Sequence, residues 1–218
     1  MTAARKYDVI LFDWDGTLVD SMPLVMAGHN LVRRAFGMPE WGLEETLANA
    51  TKSARENFPI LYGDRAAEAD RIFYEFINQH RFDKLTPFGD IAAVMSELKS
   101  AGYKMAVVSN KKHEYLKLEL SHFGWLPLFD TYVGAGVAKQ DKPSAYPVHL
   151  ALENIGWRGD LSRVLYVGDT ATDRDTAKNS GIDWAYVHHD APKAGVTDGY
   201  VPVWNGRNIE ALSAWLKA

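Results

Sequence analysis

The 218-residue chain contains no cysteine. That excludes disulfides, thiolate zinc sites, iron–sulfur clusters and a cysteine nucleophile within it. Apolar runs are short, and none approaches the roughly 18 residues needed to span a bilayer. The opening Met1-Thr2-Ala3-Ala4-Arg5-Lys6 leads into a strand-like segment, without the apolar region and cleavage site of a signal peptide. Charge of one sign is never concentrated into a tail. Lys and Arg total 24 against 28 acidic residues, a net charge of −4, whereas a nucleic-acid or anionic-membrane binder is more often basic. These absences lead us to expect a soluble, cytoplasmic protein with no nucleic-acid and no membrane partner. Its oligomeric state, monomer or homodimer, is left open.

What is present is globular in character. Hydrophobic residues make up 47% and charged residues 24% of the chain, close to ordinary domain averages. Dividing the length by about 150 residues per domain gives roughly 1.5, which suits one domain carrying a smaller insert. Short apolar runs recur at Tyr7–Phe12, Lys104–Val108, Val164–Val167 and Trp184–Val187, with a weaker one at Thr131–Val133. Such runs read as strands buried on both faces of a parallel sheet. Helix-period segments separate them: Ile91–Ser100, Glu114–Phe123, Ala145–Ile155 and Ala171–Ser180. Gly102, Gly156 and Gly181 follow three of these, where a helix C-terminus favours glycine. Strand–helix alternation predicts an α/β parallel sheet of Rossmann-like type.

Residues 20–86 break the alternation. Pro23–Phe36 and Arg65–Phe82 have helical patterns, the second with Ala69, Ile72, Phe73, Phe76 and Ile77 on one face. The chain therefore reads as an α/β core of residues 1–19 and 87–218 interrupted by an all-helical insert of 20–86.

Polar residues cluster where strands end, the edge of a parallel sheet at which ligands bind. Asp13-Trp14-Asp15-Gly16-Thr17 follows the first strand directly, and a turn accounts for Asp15-Gly16 without explaining Asp13. Gly168-Asp169-Thr170-Ala171-Thr172-Asp173 follows another strand, with helix capping as the alternative use of an aspartate. Ser109-Asn110 ends a third strand, where a hydroxyl and backbone N–H groups suit a phosphate at a helix start. Lys142 precedes a helix expected to begin near Ser144, a placement that opposes the helix dipole.

Taken in order, these segments resemble the haloacid dehalogenase-like hydrolase superfamily across essentially the whole chain. Asp13 to Leu18 is similar to its DxDGT[LV] pattern, Gly168 to Asp173 to its GDxxxD pattern, and Ser109 and Lys142 fall where its serine and lysine do. The helical insert and Leu18-Val19-Asp20-Ser21 resemble the phosphoglycolate phosphatase-like and β-phosphoglucomutase-like branch, in which the insert is a cap. Trp14 departs from the smaller or phenylalanine side chain usual there.

The resemblance implies a Mg²⁺-dependent phosphatase acting on a small phosphorylated metabolite, phosphoglycolate first, through an aspartyl-phosphate. A phosphosugar mutase and a catalytically idle binding module are the alternatives. It makes Asp13 the nucleophile and a metal ligand. Asp15 becomes the acid–base residue, with its backbone carbonyl on the metal. Asp169 is a metal ligand, and Asp173 binds the metal directly, binds it through water, or orients Lys142. Lys142 offsets charge, and Ser109, Asn110 and Thr17 line the substrate. Four carboxylates in one pocket, each pair repelling by roughly 4 kcal/mol at about 4 Å and an effective dielectric of about 20, are more than one lysine neutralises. A hard divalent cation with oxygen ligands is expected instead, Mg²⁺ rather than zinc. In the insert, Thr51, Lys52, Ser53 and Arg55 form a polar, basic stretch, and Lys52 and Arg55 are the candidates to bind a second anionic group of the substrate.

Overall fold

The computed structural model describes residues 5–49 and 52–218. It divides into two compact units: one holds the chain up to Val19 and from Pro87 onward, the other Asp20–Thr86. In chain order the elements are β1 (Val9–Phe12), β2 (Val19–Asp20), α1 (Met22–Ala35), α2 (Leu43–Asn49), α3 (Ala54–Tyr62), α4 (Ala66–Lys84), β3 (Thr86–Pro87), α5 (Ile91–Ser100), β4 (Lys104–Lys112) and α6 (His113–His122). Then follow β5 (Thr131–Ala135), α7 (Tyr146–Ile155), β6 (Val164–Gly168), α8 (Ala171–Ser180), β7 (Asp183–Val187), β8 (Trp204–Gly206) and α9 (Ile209–Lys217). Among the described residues, no helix is long and apolar enough to cross a membrane.

The larger unit is built on a six-stranded sheet in the order β5-β4-β1-β6-β7-β8, with every pairing parallel. β1 is central and wholly buried, which is why its residues read as a continuous apolar run rather than an alternation. Val9 and Leu11 pack on one face with Val148, Ala151 and Leu152 of α7. Gly156 and Gly181 close α7 and α8 in the left-handed conformation, the geometry glycine adopts without strain. β1 lies between β4 and β6, in register Val9↔Lys104 and Val9↔Val164. Because the three strands are parallel, their carboxyl ends share one edge, and the residues following β1 and β6 meet there.

The sequence misplaces three features. β4 runs past Val108 to Lys112, with a register shift against β5 between those residues. Ser109-Asn110 therefore does not open a helix, since α6 begins only at His113 with Lys112 as its cap. α7, expected over Ala145–Ile155, begins one residue later at Tyr146 with Ala145 as its cap. β8 and α9 have no counterpart in the sequence reading.

In the smaller unit α1 and α4 pack together and α3 lies on α4. Leu24, Val32, Phe58, Tyr62, Ala69, Phe73, Ile77 and Leu85 are its buried apolar residues. Gly28 lets α4 come close to α1, because a Cβ there would lie 2.8 Å from the Phe73 ring. His29 is enclosed by Trp41, Phe58 and Phe73 and faces the Tyr62 hydroxyl at 3.3 Å. Burial pushes its pKa down from 6.5 to about 4.

Candidate active site

The edge where β4, β1 and β6 end is polar, buried and crowded. Asp13 leaves β1 with its N–H donating to the Val167 carbonyl of β6 at 2.8 Å. Asp13, Asp169 and Asp173 each bring a carboxylate oxygen within 4.8 Å of the others, and all three are buried. Lys142, only 2% exposed, reaches between two of them: its Nζ lies 2.8 Å from Asp13 Oδ1 and 2.7 Å from Asp173 Oδ1. The same ammonium donates to the Tyr166 hydroxyl at 2.9 Å, which in turn donates to the Val108 carbonyl at 2.7 Å.

Asp173 fills two roles at once. Its Oδ2 accepts the N–H groups of Asp169 and Thr170 and the Thr170 hydroxyl, at 3.1, 2.9 and 2.6 Å, as a helix cap. Its other oxygen faces Lys142. Helix capping and service to the site are therefore not alternatives here. Gly168 makes this possible, since a Cβ on it would lie 2.3 Å from the Asp173 Cβ. Gly16 does the same for Asp169. Its φ is +81°, and an added Cβ would sit 2.5 Å from Asp169 Oδ2. Thr17 Oγ1 donates to Asp169 Oδ1 at 3.2 Å.

The pocket holds more positive charge than the sequence reading allowed. The expectation of a single lysine against four carboxylates is corrected by two others. Lys193, from the segment between β7 and β8, places Nζ 2.6 Å from Asp169 Oδ2. Lys111, at the irregular end of β4, lies 2.8 Å from Asp15 Oδ1 and 2.8 Å from the fully buried Glu119. Lys193 gave no sequence signal, being a lone lysine in a loop with proline and glycine around it. Lys111 adjoins Ser109-Asn110, but nothing in its local spacing marks it. Glu119 did leave a trace, as a charged residue within the buried stripe of α6 between Leu116 and Leu120.

Electrostatics follow from burial. Desolvation raises Asp13 from 3.8 to about 8, helped by Asp173 and opposed by Lys142. It raises Asp169 to about 6 against the pull of Lys193. Burial works against the charge on Lys142, but Asp13 and Asp173 outweigh it and hold the ammonium protonated. Around the three clustered aspartates the chain supplies two ammonium groups for three carboxylates, so ionising them all requires a further cation. The donor set is all oxygen, and Gly16 and Gly168 keep Cβ atoms out of the cradle. These residues fit a hard divalent cation.

The other predicted positions are more varied. Asp15 is less buried than Asp13, and its carboxylate turns to Lys111. Ser109 is buried and its hydroxyl accepts the Lys111 N–H at 3.1 Å. Asn110 spends both ends of its amide on the Lys142 backbone, at 3.0 and 2.9 Å, and so fixes the segment that carries the lysine. Lys52 and Arg55 are exposed in the helical unit, just before and within the first turn of α3. Thr51 lies outside the described residues. His189 lies beside this edge, its Nε2 3.0 Å from the Thr17 carbonyl and its ring stacked on Phe88.

An open parallel sheet whose central strand runs into a buried carboxylate–lysine cluster is the layout of an α/β enzyme working on a charged substrate at a cation. Residues 10–187 match the family model described as haloacid dehalogenase-like hydrolase, and the chain belongs to that family. It is 28% identical to "Pyrophosphatase PpaX" of Bacillus velezensis over 91% of each chain. It is 31% identical to "Phosphoglycolate phosphatase" of Cereibacter sphaeroides over 86% of this chain and 91% of that one. A haloacid dehalogenase-like hydrolase from Bacteroides fragilis superposes with a TM-score of 0.86 over 95% of this chain and all of its own, at 23% identity, a likeness of fold. The protein is thus a hydrolase, and its relatives include proteins named phosphoglycolate phosphatase and pyrophosphatase.

Proposed function

We propose that this chain is a Mg²⁺-dependent phosphatase that hydrolyses a small phosphorylated monoester through a phosphoaspartate on Asp13. One observation carries the reading: three buried aspartates converge within 4.8 Å, with the Lys142 ammonium shared between Asp13 and Asp173. The Asp13, Asp169 and Asp173 side chains and the Asp15 carbonyl would hold the metal. When bound, it supplies charge stabilisation to the phosphoryl oxygens.

The chain's own groups account for the remaining chemistry. Lys142 orients Asp13 and favours its ionised form, which the added charge of the bound cation would complete, so that one oxygen attacks phosphorus in line. Lys142 and the Ser109 hydroxyl bind the phosphoryl oxygens as charge moves onto them. Asp15 gives its proton to the departing alkoxide, then takes one from the water that cleaves the phosphoaspartate. In this reading the helical unit is the substrate-selecting cap, and Lys52 and Arg55 are the candidates to bind a second anionic group of the substrate.

The names of the relatives make phosphoglycolate the first substrate to try and pyrophosphate the second. The test is phosphate release from a panel of phosphorylated metabolites and pyrophosphate, with Mg²⁺ and with EDTA. Release from small monoesters that EDTA abolishes is expected. No release from any member, or release indifferent to EDTA, overturns the proposal.

A further inference from the structure

α6 carries a charge where its apolar stripe should close. Tyr115, Leu116 and Leu120 are buried on this helix, and Glu119 lies among them with no exposed surface. A carboxyl in such a place is costly unless it is engaged. Two groups engage it, both on Oε2: the Trp14 indole N–H at 2.7 Å and the Lys111 ammonium at 2.8 Å. Trp14 is the residue between the two aspartates of the first motif, and its ring is buried against Phe123 and Trp125. Neither Glu119 nor Trp14 has a part in the chemistry proposed above.

Lys111 joins this pair to the site, because its ammonium also lies 2.8 Å from Asp15 Oδ1. That oxygen is buried, while the Asp15 side chain as a whole is 31% exposed. The exposure therefore lies on the rest of the side chain, which includes the other oxygen. We infer that Glu119, fixed by the Trp14 indole, positions Lys111, and that Lys111 grips the inner oxygen of Asp15 so that the outer one is presented for proton transfer. A lysine has four rotatable bonds, and a single ion pair with a part-exposed carboxylate leaves most of that freedom intact. A second, buried carboxylate that is itself pinned by an indole removes it. Glu119 and Lys111 are positioning residues, and the inference rests on the acid–base role proposed for Asp15.

The proton step shows where the effect appears. As the bond from Asp13 to phosphorus forms and the ester P–O bond breaks, the Asp15 carboxyl proton passes to the bridging oxygen. An alkoxide needs that proton to leave, whereas a nitrophenolate does not. Misplacing Asp15 therefore slows phosphoryl transfer from an alkyl ester and spares transfer from an aryl ester. The value of kcat/KM isolates this step from the later hydrolysis, which is common to both substrates.

The experiment measures kcat/KM for p-nitrophenyl phosphate and for 2-phosphoglycolate, or failing turnover the best alkyl monoester of the panel above. Wild type, Asp15→Asn and Glu119→Gln are compared. Glu119→Gln keeps an amide oxygen for Trp14 and removes the charge that holds Lys111. We expect its alkyl kcat/KM to fall at least ~10-fold, part of the ~10²–10⁴ that acid–base catalysis supplies, and its aryl value less than about 3-fold. Lys111→Met and Trp14→Phe carry the same test if Glu119→Gln does not fold, the second with a smaller split. Equal losses on both substrates, or none, in these variants while Asp15→Asn shows the split overturn the positioning role and leave the acid–base reading standing. Absence of the split in Asp15→Asn itself overturns that reading, and the inference with it.

Discussion

Replacing Asp13 by Asn should stabilise the metal-free protein while abolishing turnover. In the fold this carboxyl ionises at about 8, because burial and Asp173 outweigh the help of Lys142; its ordinary value is 3.8. At pH 7 the unfolded chain has released a proton that the fold retains. Each pH unit between the two values is worth about 1.4 kcal/mol, so the buried carboxyl costs folding about 4 kcal/mol at pH 7. An asparagine of the same shape removes that cost, and Lys142 keeps its contact with Asp173 at 2.7 Å. With a denaturant slope of about 3 kcal/mol per M, the urea midpoint in EDTA should rise by more than ~1 M. The pH dependence has a definite sign. The fold binds the extra proton between about pH 4 and pH 8, so wild-type stability in EDTA falls as pH rises through that window and levels off above it. Asp169, raised to about 6, adds a slope of the same sign. Adding Mg²⁺ should narrow the gap, since a cation bound only by the fold stabilises the wild type by mass action. A midpoint in EDTA that is unchanged or lower in Asp13→Asn would refute the claim that these carboxylates are held together at a cost.

Other expectations are independent of that one. Gly16→Ala forces a Cβ into the Asp169 carboxylate at a backbone angle of +81°; titration calorimetry should show Mg²⁺ affinity reduced by about 10–100-fold, and an unchanged affinity would remove Asp169 from the metal site. His29 is kept neutral inside its aromatic box, ionising at about 4 instead of 6.5. Below pH 6.5 the unfolded chain therefore binds a proton that the fold excludes, and the helical unit should lose about 3 kcal/mol between pH 6.5 and 4. Hydrogen exchange of α1 and α4 reports this loss, and His29→Phe should flatten it; an equal slope in the variant assigns the loss to other groups. Gly28→Ala drives a methyl into the Phe73 ring at 2.8 Å. It should destabilise the same helices by about 1–3 kcal/mol, and no change in their exchange rates would mean that α1 and α4 adjust freely.

Buried strands and long helices were legible because burial on both faces leaves an uninterrupted apolar run and packing on one face leaves a 3.6-residue period. β1, β6 and β7 and helices α4, α5 and α8 carry those marks. β8 does not: it is a short edge strand, Trp204-Asn205-Gly206, only half-buried at best, and such a strand needs no apolar alternation. α9 left its mark in Asn208, whose side chain accepts the Ala211 N–H, and in an apolar face that the sequence reading passed over. α2 is short and mostly polar, and α3 is short, carries Pro59 inside it and exposes Ile60, so neither shows a clean apolar face. The aspartates stood out because charged residues directly after buried strands have few structural uses, and Lys142 because a lysine just before a helix opposes its dipole. Lys111 and Lys193 stayed hidden because their meaning lies in which distant carboxylate faces them, a fact of tertiary packing that no local spacing encodes; Glu119 showed only as a charge in the apolar stripe of α6, without its partners.

The covalent role of Asp13 is tested most directly by trapping. The enzyme is mixed with a turned-over monoester and Mg²⁺, quenched rapidly, reduced with borohydride and digested. A phosphoaspartate is reduced to homoserine, so the peptide bearing Asp13 should carry homoserine at that position in proportion to enzyme turning over, and not when substrate is omitted. Reduction at another carboxylate, or efficient turnover with no modified aspartate at any quench time, would contradict the account.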